Sequence, residues 1–317
     1  MKRTIVIVLV ALLSQISCST QQPFFRQATV EEYLNQLVDF MQENHINRKS
    51  IDWVSFRAAV QQKGASAETI ADANESIKLA LELLNDQTSF LITQTGEAIT
   101  FSTTCTDTKP PAVTIPTDIG YVKIPTFGSL GVSAAIFAEK MHGEISSQDK
   151  ADLKGWIVDL RENTGGNMWA MIAGIGPILG EGNAGFFVDS DGVKNSFGYK
   201  NGAAMYDDGA VVQVSFPHTL LSTNAKVAVL MDHSTTNAAE GIAIAFTGKA
   251  DTRTFGASTC GRASGNNTFS LSDGSVLYLT VAFIADRNEV EKRGTLIPDE
   301  AVSADMAFQK AVDWINN

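Results

Sequence analysis

Apolar positions recur along the chain in two rhythms. In "TVEEYLNQLVDFMQENH", Val30, Leu34, Leu37, Val38 and Met41 fall three or four residues apart and line one face of a helix. Thr29 and Glu32 stand at the spacing of a capping box at its start. Residues 66–85 repeat the rhythm with Ile70, Ala73, Ile77, Leu81 and Leu84, which predicts a second helix. It runs out at "LLNDQTSFLIT", a turn into a short strand. Residues 25–105 therefore read as a small helical N-terminal domain.

The segment "TDTKPPAVTIPTD", residues 106–118, is rich in Pro and Thr, cannot be helical, and reads as a linker. Beyond it, over 119–317, the rhythm alternates. "IGYVKI", "GWIVDL", "KVAVLM" and "SVLYLTVAFI" are apolar runs of strand length. Between and after them, 130–146, 167–179, 238–247 (stopped at Gly248) and 302–316 read as helices. Such alternation predicts an α/β layer architecture.

Composition narrows the class. Of 317 residues, 44% are hydrophobic and 19% charged, a globular balance. Net charge is −11, from 24 basic and 35 acidic residues, so the surface repels a phosphate backbone; no nucleic-acid partner is expected. "MKR" followed by "TIVIVLVALL" reads as a targeting signal whose apolar run is too short to span a bilayer. "SQISC" resembles a bacterial lipobox, with Gln15 where an aliphatic residue is preferred. It marks 1–18 as a leader and Cys18 as a lipidation candidate; a simple secretory signal is the other reading. Either way the mature chain is expected in the bacterial envelope, periplasmic or anchored to the outer membrane, touching a membrane only through Cys18. Cys105 and Cys260 remain, as a disulfide or as two packed thiols. Two cysteines and four scattered histidines give no zinc spacing, and no metal or cofactor is expected. His45, His142 and His218 read as surface or loop residues.

Two stretches could hold chemistry. "DLRENTGGN" ends a buried strand, and Arg161 and Asn163 precede a Gly pair at a strand-to-helix turn. Gly165 and Gly166 allow backbone N–H groups to point outward, as an oxyanion hole needs, although a tight turn alone also favours glycine. "DHSTTNAAEG" lies between an apolar strand and a helix, where free N–H groups and the helix dipole favour an anion.

"GWIVDLRENTGG", "FGASTCGRASGNNTFSLSDGSVLYLTVAFIADR" and "IPDE" resemble, in order, the C-terminal processing (tail-specific) serine peptidases. The form is similar to the PDZ-less, lipoprotein-like branch common in Bacteroidetes. The resemblance implies a ClpP/crotonase-like core of ββα units, polypeptide as substrate, and an oxyanion hole from Gly165, Gly166 and Ala238. It also implies that the chain departs from the pattern at every reactive position. The family turn Thr-Ala-Ser-x-x-Glu reads here Thr235-Thr236-Asn237-Ala238-Ala239-Glu240, so the nucleophile position holds Asn237. A carboxamide forms no acyl-enzyme. The lysine that some members use falls on Arg262, which cannot act as a base. The histidine that others use, in Leu-x-Asp-Gly-His-Ser, falls on Thr88 of "LLNDQTSF", which has no pKa suited to base work.

Asn237 has a structural reading as the N-cap of the following helix, with Glu240 at capping-box spacing. Ser234 is the alternative nucleophile, but His233 beside it should point to the opposite face; Thr236 has no base in the sequence. Three functions follow: a degenerate peptidase that keeps a peptide groove, an active serine endopeptidase with relocated groups, and a structural envelope lipoprotein.

Overall fold

A computed structural model describes residues 28–101, 104–222 and 225–317; the leader and Cys18 lie outside them. The N-terminal part folds as α1 (Val30–Asn44), α2 (Trp53–Gly64), a 3₁₀ turn (Ile70–Ala73) and α3 (Asn74–Leu84), followed by strands β1 (Phe90–Ile92) and β2 (Ala98–Thr100). The capping box at α1 is formed: the Thr29 hydroxyl accepts from Glu32 N–H at 3.2 Å, and the Glu32 carboxylate from Thr29 N–H at 2.9 Å. The helix expected over 66–85 is split, because Thr69 and Asp72 form a second capping box that starts a 3₁₀ turn. α2 was not foreseen, since only Phe56, Val60 and Gly64 of it are buried.

The rest alternates: β3 (Ile119–Lys123), α4 (Val132–Gln148), β4 (Gly155–Asp159), α5 (Met168–Leu179), then β5 (Gly182–Asp189), β6 (Lys194–Lys200), β7 (Ala203–Tyr206) and β8 (Gly209–Gln213). β9 (Lys226–Met231), α6 (Ala238–Phe246), β10 (Thr252–Gly256), β11 (Ser264–Ser270), β12 (Val276–Asp286), β13 (Glu291–Lys292), β14 (Glu300–Ala301) and α7 (Ala307–Asn316) follow. One sheet is parallel, ordered β14-β10-β9-β4-β3. The other is antiparallel, with β12 joining β1 to β5 and the β5–β8 meander beyond.

Strand alternation explains the layers. Trp156 and Val158 of β4, with Val227, Val229 and Met231 of β9, face the core against α4, α5 and α6; Ile157, Ala228 and Leu230 face α7. Covered on both faces, β4 is buried along its whole length, which is why it reads as an unbroken apolar run. Each such buried aliphatic side chain contributes roughly 1.5–3 kcal/mol relative to exposure. The helices α1–α3 pack on β1, β2 and the Leu277 and Leu279 positions of β12. The α/β class and the small helical N-terminal region are as expected. His45 and His142 are not surface residues: both are buried, His45 bonded to Asp86 at 2.8 Å and His142 to Ala173 O at 2.8 Å.

Candidate active site

The site is the junction β9–α6. After Met231 the chain makes a tight turn knotted around the buried Asp232, whose carboxylate accepts from Ser234 and Thr235 N–H at 3.0 and 2.9 Å. Burial raises Asp232 above the ordinary aspartate value. The turn delivers Asn237 as N-cap of α6 with φ 52° and ψ −120°, a conformation that L side chains rarely adopt. Its side chain is exposed and Ala238 half-buried. The strained, exposed N-cap is the geometry of a nucleophile turn; the group it presents is an amide.

Glu240 holds the turn from below. It is fully buried, and its Oε2 accepts from both Asn237 N–H (3.1 Å) and Arg262 N–H (2.7 Å). Oε1 accepts from Gly261 N–H at 2.7 Å and from the Thr259 hydroxyl. Burial raises the Glu240 carboxyl above its ordinary value in spite of these donors. Asn237 and Arg262, far apart in sequence, thus share one carboxylate oxygen.

Thr88 completes the set. Its hydroxyl is buried, 2.6 Å from Thr280 Oγ1, and accepts from Ser264 Oγ at 3.2 Å, two residues after Arg262. The Arg262 guanidinium reaches Gln87, Thr88's neighbour, at 3.5 Å. Loops 85–89, 234–240 and 259–264 therefore gather around one corner.

The glycine loop faces the same corner, but its two glycines differ. Gly165 N–H donates to Asn163 Oδ1 at 2.8 Å, so it is not free for a ligand, contrary to expectation. Gly165 instead makes room: a Cβ there would lie 2.7 Å from Asn237 Cβ, and its φ is +96°. Gly166, exposed at φ +116°, pairs as an isolated parallel bridge with Phe127, and its N–H takes no acceptor among the described residues. Ala238 N–H likewise has none. The outward donors are therefore Gly166 and Ala238. Asn163 ties the loop to the turn, since its backbone O accepts from Thr236 N–H at 3.1 Å. Arg161 is structural: its fork holds Asp159 at 2.9 and 2.6 Å, and Nη1 donates to Ala304 O at 2.7 Å.

The alternative hydroxyls lack a base. Ser234 is buried and accepts from Asp107 N–H at 2.9 Å; no imidazole bonds to it among the described residues, and His233 points outward. Thr236 is buried, and its Oγ1 has no hydrogen-bond partner among the described residues. A strap covers this flank, and it closes a pairing that the sequence left open between a disulfide and two packed thiols. Cys105 and Cys260 are joined by a disulfide with Cα atoms 5.9 Å apart, and Asp107 Oδ2 accepts from His233 N–H at 3.1 Å. No local pattern announces a contact between residues 155 positions apart. Among the described residues, no cluster of His, Cys, Asp and Glu could hold a metal, and no helix is long and apolar enough to cross a membrane.

A parallel sheet whose strand runs through a strained N-cap into a helix, faced by a glycine loop, defines the scaffold of a serine-type hydrolase. The model of Peptidase family S41 matches residues 118–302, and the chain belongs to that family. It is 27% identical over 288 residues to the nisin-resistance protein of Lactococcus lactis subsp. lactis, covering 90% of this chain and 87% of that one. Its fold is similar to a lipoprotein from Streptococcus agalactiae (TM-score 0.73, 22% identity, 91% and 96% of the two chains). It is also similar to a photosystem II D1 C-terminal processing protease (TM-score 0.56, 14% identity, 88% and 94%).

Proposed function

We propose that this S41 family member binds extended peptides at the β9–α6 corner and does not hydrolyse them. The observation that carries the reading is Asn237 at the strained N-cap: the turn is built, and its reactive alcohol is replaced by an amide. Thr88 and Arg262, at the corresponding base positions, have no proton-accepting nitrogen. The N–H groups of Gly166 and Ala238 remain to receive a carbonyl or terminal carboxylate. The family supports polypeptide as the ligand class. Nisin, named in the Lactococcus relative, is the first ligand to test.

A fluorophosphonate probe tests the reading. The natural chain stays unlabelled, and Asn237→Ser with Thr88→His gains labelling because the remaining geometry is intact. Stoichiometric labelling of the natural chain would overturn the reading. We further propose that the chain is exported and lipid-anchored at Cys18, as the name of the streptococcal structure supports. Cys18→Ser should move the protein from the membrane to the soluble fraction; unchanged membrane association refutes the anchor.

A further inference from the structure

We propose that Asn237 is a fold-directed modification site, at which its side chain closes onto the Ala238 nitrogen to give a cyclic imide and release ammonia. The argument starts from ring geometry. A five-membered imide needs Asn237 Cβ and Ala238 N eclipsed about the Cα–C bond. Cβ stands about a third of a turn from the backbone nitrogen around Cα, so for an L-residue that eclipse falls near ψ of about −120°. Ordinary helix and strand backbones hold ψ far from that value. At Asn237 ψ is −120°, with φ 52°. This is the first central position of a type II′ turn, the mirror of type II. The β9–α6 corner imposes on the open chain the backbone that the closed ring requires.

Three further observations point the same way. A Cβ built on Gly165 would lie 2.7 Å from Asn237 Cβ and 3.1 Å from Ala238 N, so two members of the ring border the same spot, which glycine leaves clear. Ala238 N–H has no acceptor among the described residues, and it stands at the positive end of α6, which favours the anionic nitrogen that attacks. Asn237 is exposed, so water reaches its side chain and ammonia can leave.

The step balances without oxidant or cofactor. A bond forms between Ala238 N and Asn237 Cγ, and the Cγ–Nδ2 bond breaks. The amide proton of Ala238 passes through solvent to Nδ2, which leaves as ammonia. Water then opens either imide carbonyl, leaving aspartate or isoaspartate at 237. The ring removes the Ala238 N–H, and opening adds a negative charge beside the outward donors.

The chain carries its own control. Asn183–Ala184 is the same dipeptide and Asn183 is also exposed, but it lies in β5, with Asn183 Oδ1 accepting from Gly185 N–H at 3.0 Å. Purified full-length protein is held at neutral pH and its peptides are mapped by mass. Conversion at Asn237, seen as loss of ammonia or exchange of amide for acid, is expected to exceed that at Asn183 by about tenfold or more. In the denatured chain the two sites should convert at similar rates. Asn237→Gln, whose closure would give a larger ring, should abolish the change in that peptide. Equal conversion at 237 and 183 in the folded protein, or ammonia loss that persists at this site in Asn237→Gln, would overturn the proposal. The readout is covalent, so it stands or fails independently of peptide binding.

Discussion

The molecule contains a hydrogen-bonded His–Asp–Ser chain and, at the corner that Thr88 beside it borders, a strained nucleophile-type turn, and among the described residues no hydrogen bond links His45, Asp86 or Ser89 to that turn. In the N-terminal region His45 donates from Nε2 to Asp86 Oδ2 at 2.8 Å while its Nδ1 accepts from Asn47 N–H at 3.2 Å, and Ser89 Oγ donates to the same Asp86 oxygen at 2.5 Å. Burial pushes Asp86 up, but the donors from His45 and Ser89 outweigh it and hold the carboxyl below its ordinary value. The imidazole is fully enclosed and both of its nitrogens are used. At the β9–α6 corner the reverse holds: the backbone is strained, exposed and flanked by free donors, and the side chain is an amide. Residue types alone do not make a catalytic group; access and a free lone pair do.

Asp86→Ala should break the first region most severely. It leaves the buried His45 Nε2 without its acceptor, takes from Ser89 its 2.5 Å acceptor, and should cost about 3–4 kcal/mol in urea unfolding. A loss below about 1 kcal/mol would mean that the cluster is not structural. Gly165→Ala attacks the second region. A side chain at φ +96° and against Asn237 Cβ should cost about 2–3 kcal/mol and weaken peptide affinity. Unchanged stability and affinity would show that the loop does not abut the turn. Asn237→Gly relieves the positive φ and should stabilise by about 1 kcal/mol, read as a higher unfolding midpoint. The acid limb is the smallest effect. Asp86 contributes stability that is fully present above its unfolded value of about 3.9 and lost as pH falls through its lowered folded value. Asp86→Asn should therefore flatten the loss of stability with acid, and an unchanged slope would assign that loss to other carboxylates.

Much of this was legible in the sequence. The runs at 155–160 and 226–231 are strands because burial on both faces writes a continuous apolar signal, and the register from Glu240 back to Asn237 needs only local counting. The β5–β8 meander escaped because its residues are half-exposed and interrupted by glycine, so no clean alternation marks them. The pairing of His45 with Asp86, the Cys105–Cys260 link and the capture of Gly165 N–H by Asn163 are contacts that only the folded chain creates.

The most direct test of the proposal that this corner binds without cutting follows one peptide through binding and recovery. Nisin is titrated into the natural protein by calorimetry, and the same mixture is then held and analysed by mass. Binding that weakens with Gly166→Val, with the peptide recovered whole, is the predicted result. Peptide cleaved over repeated turnovers by the natural chain would contradict it.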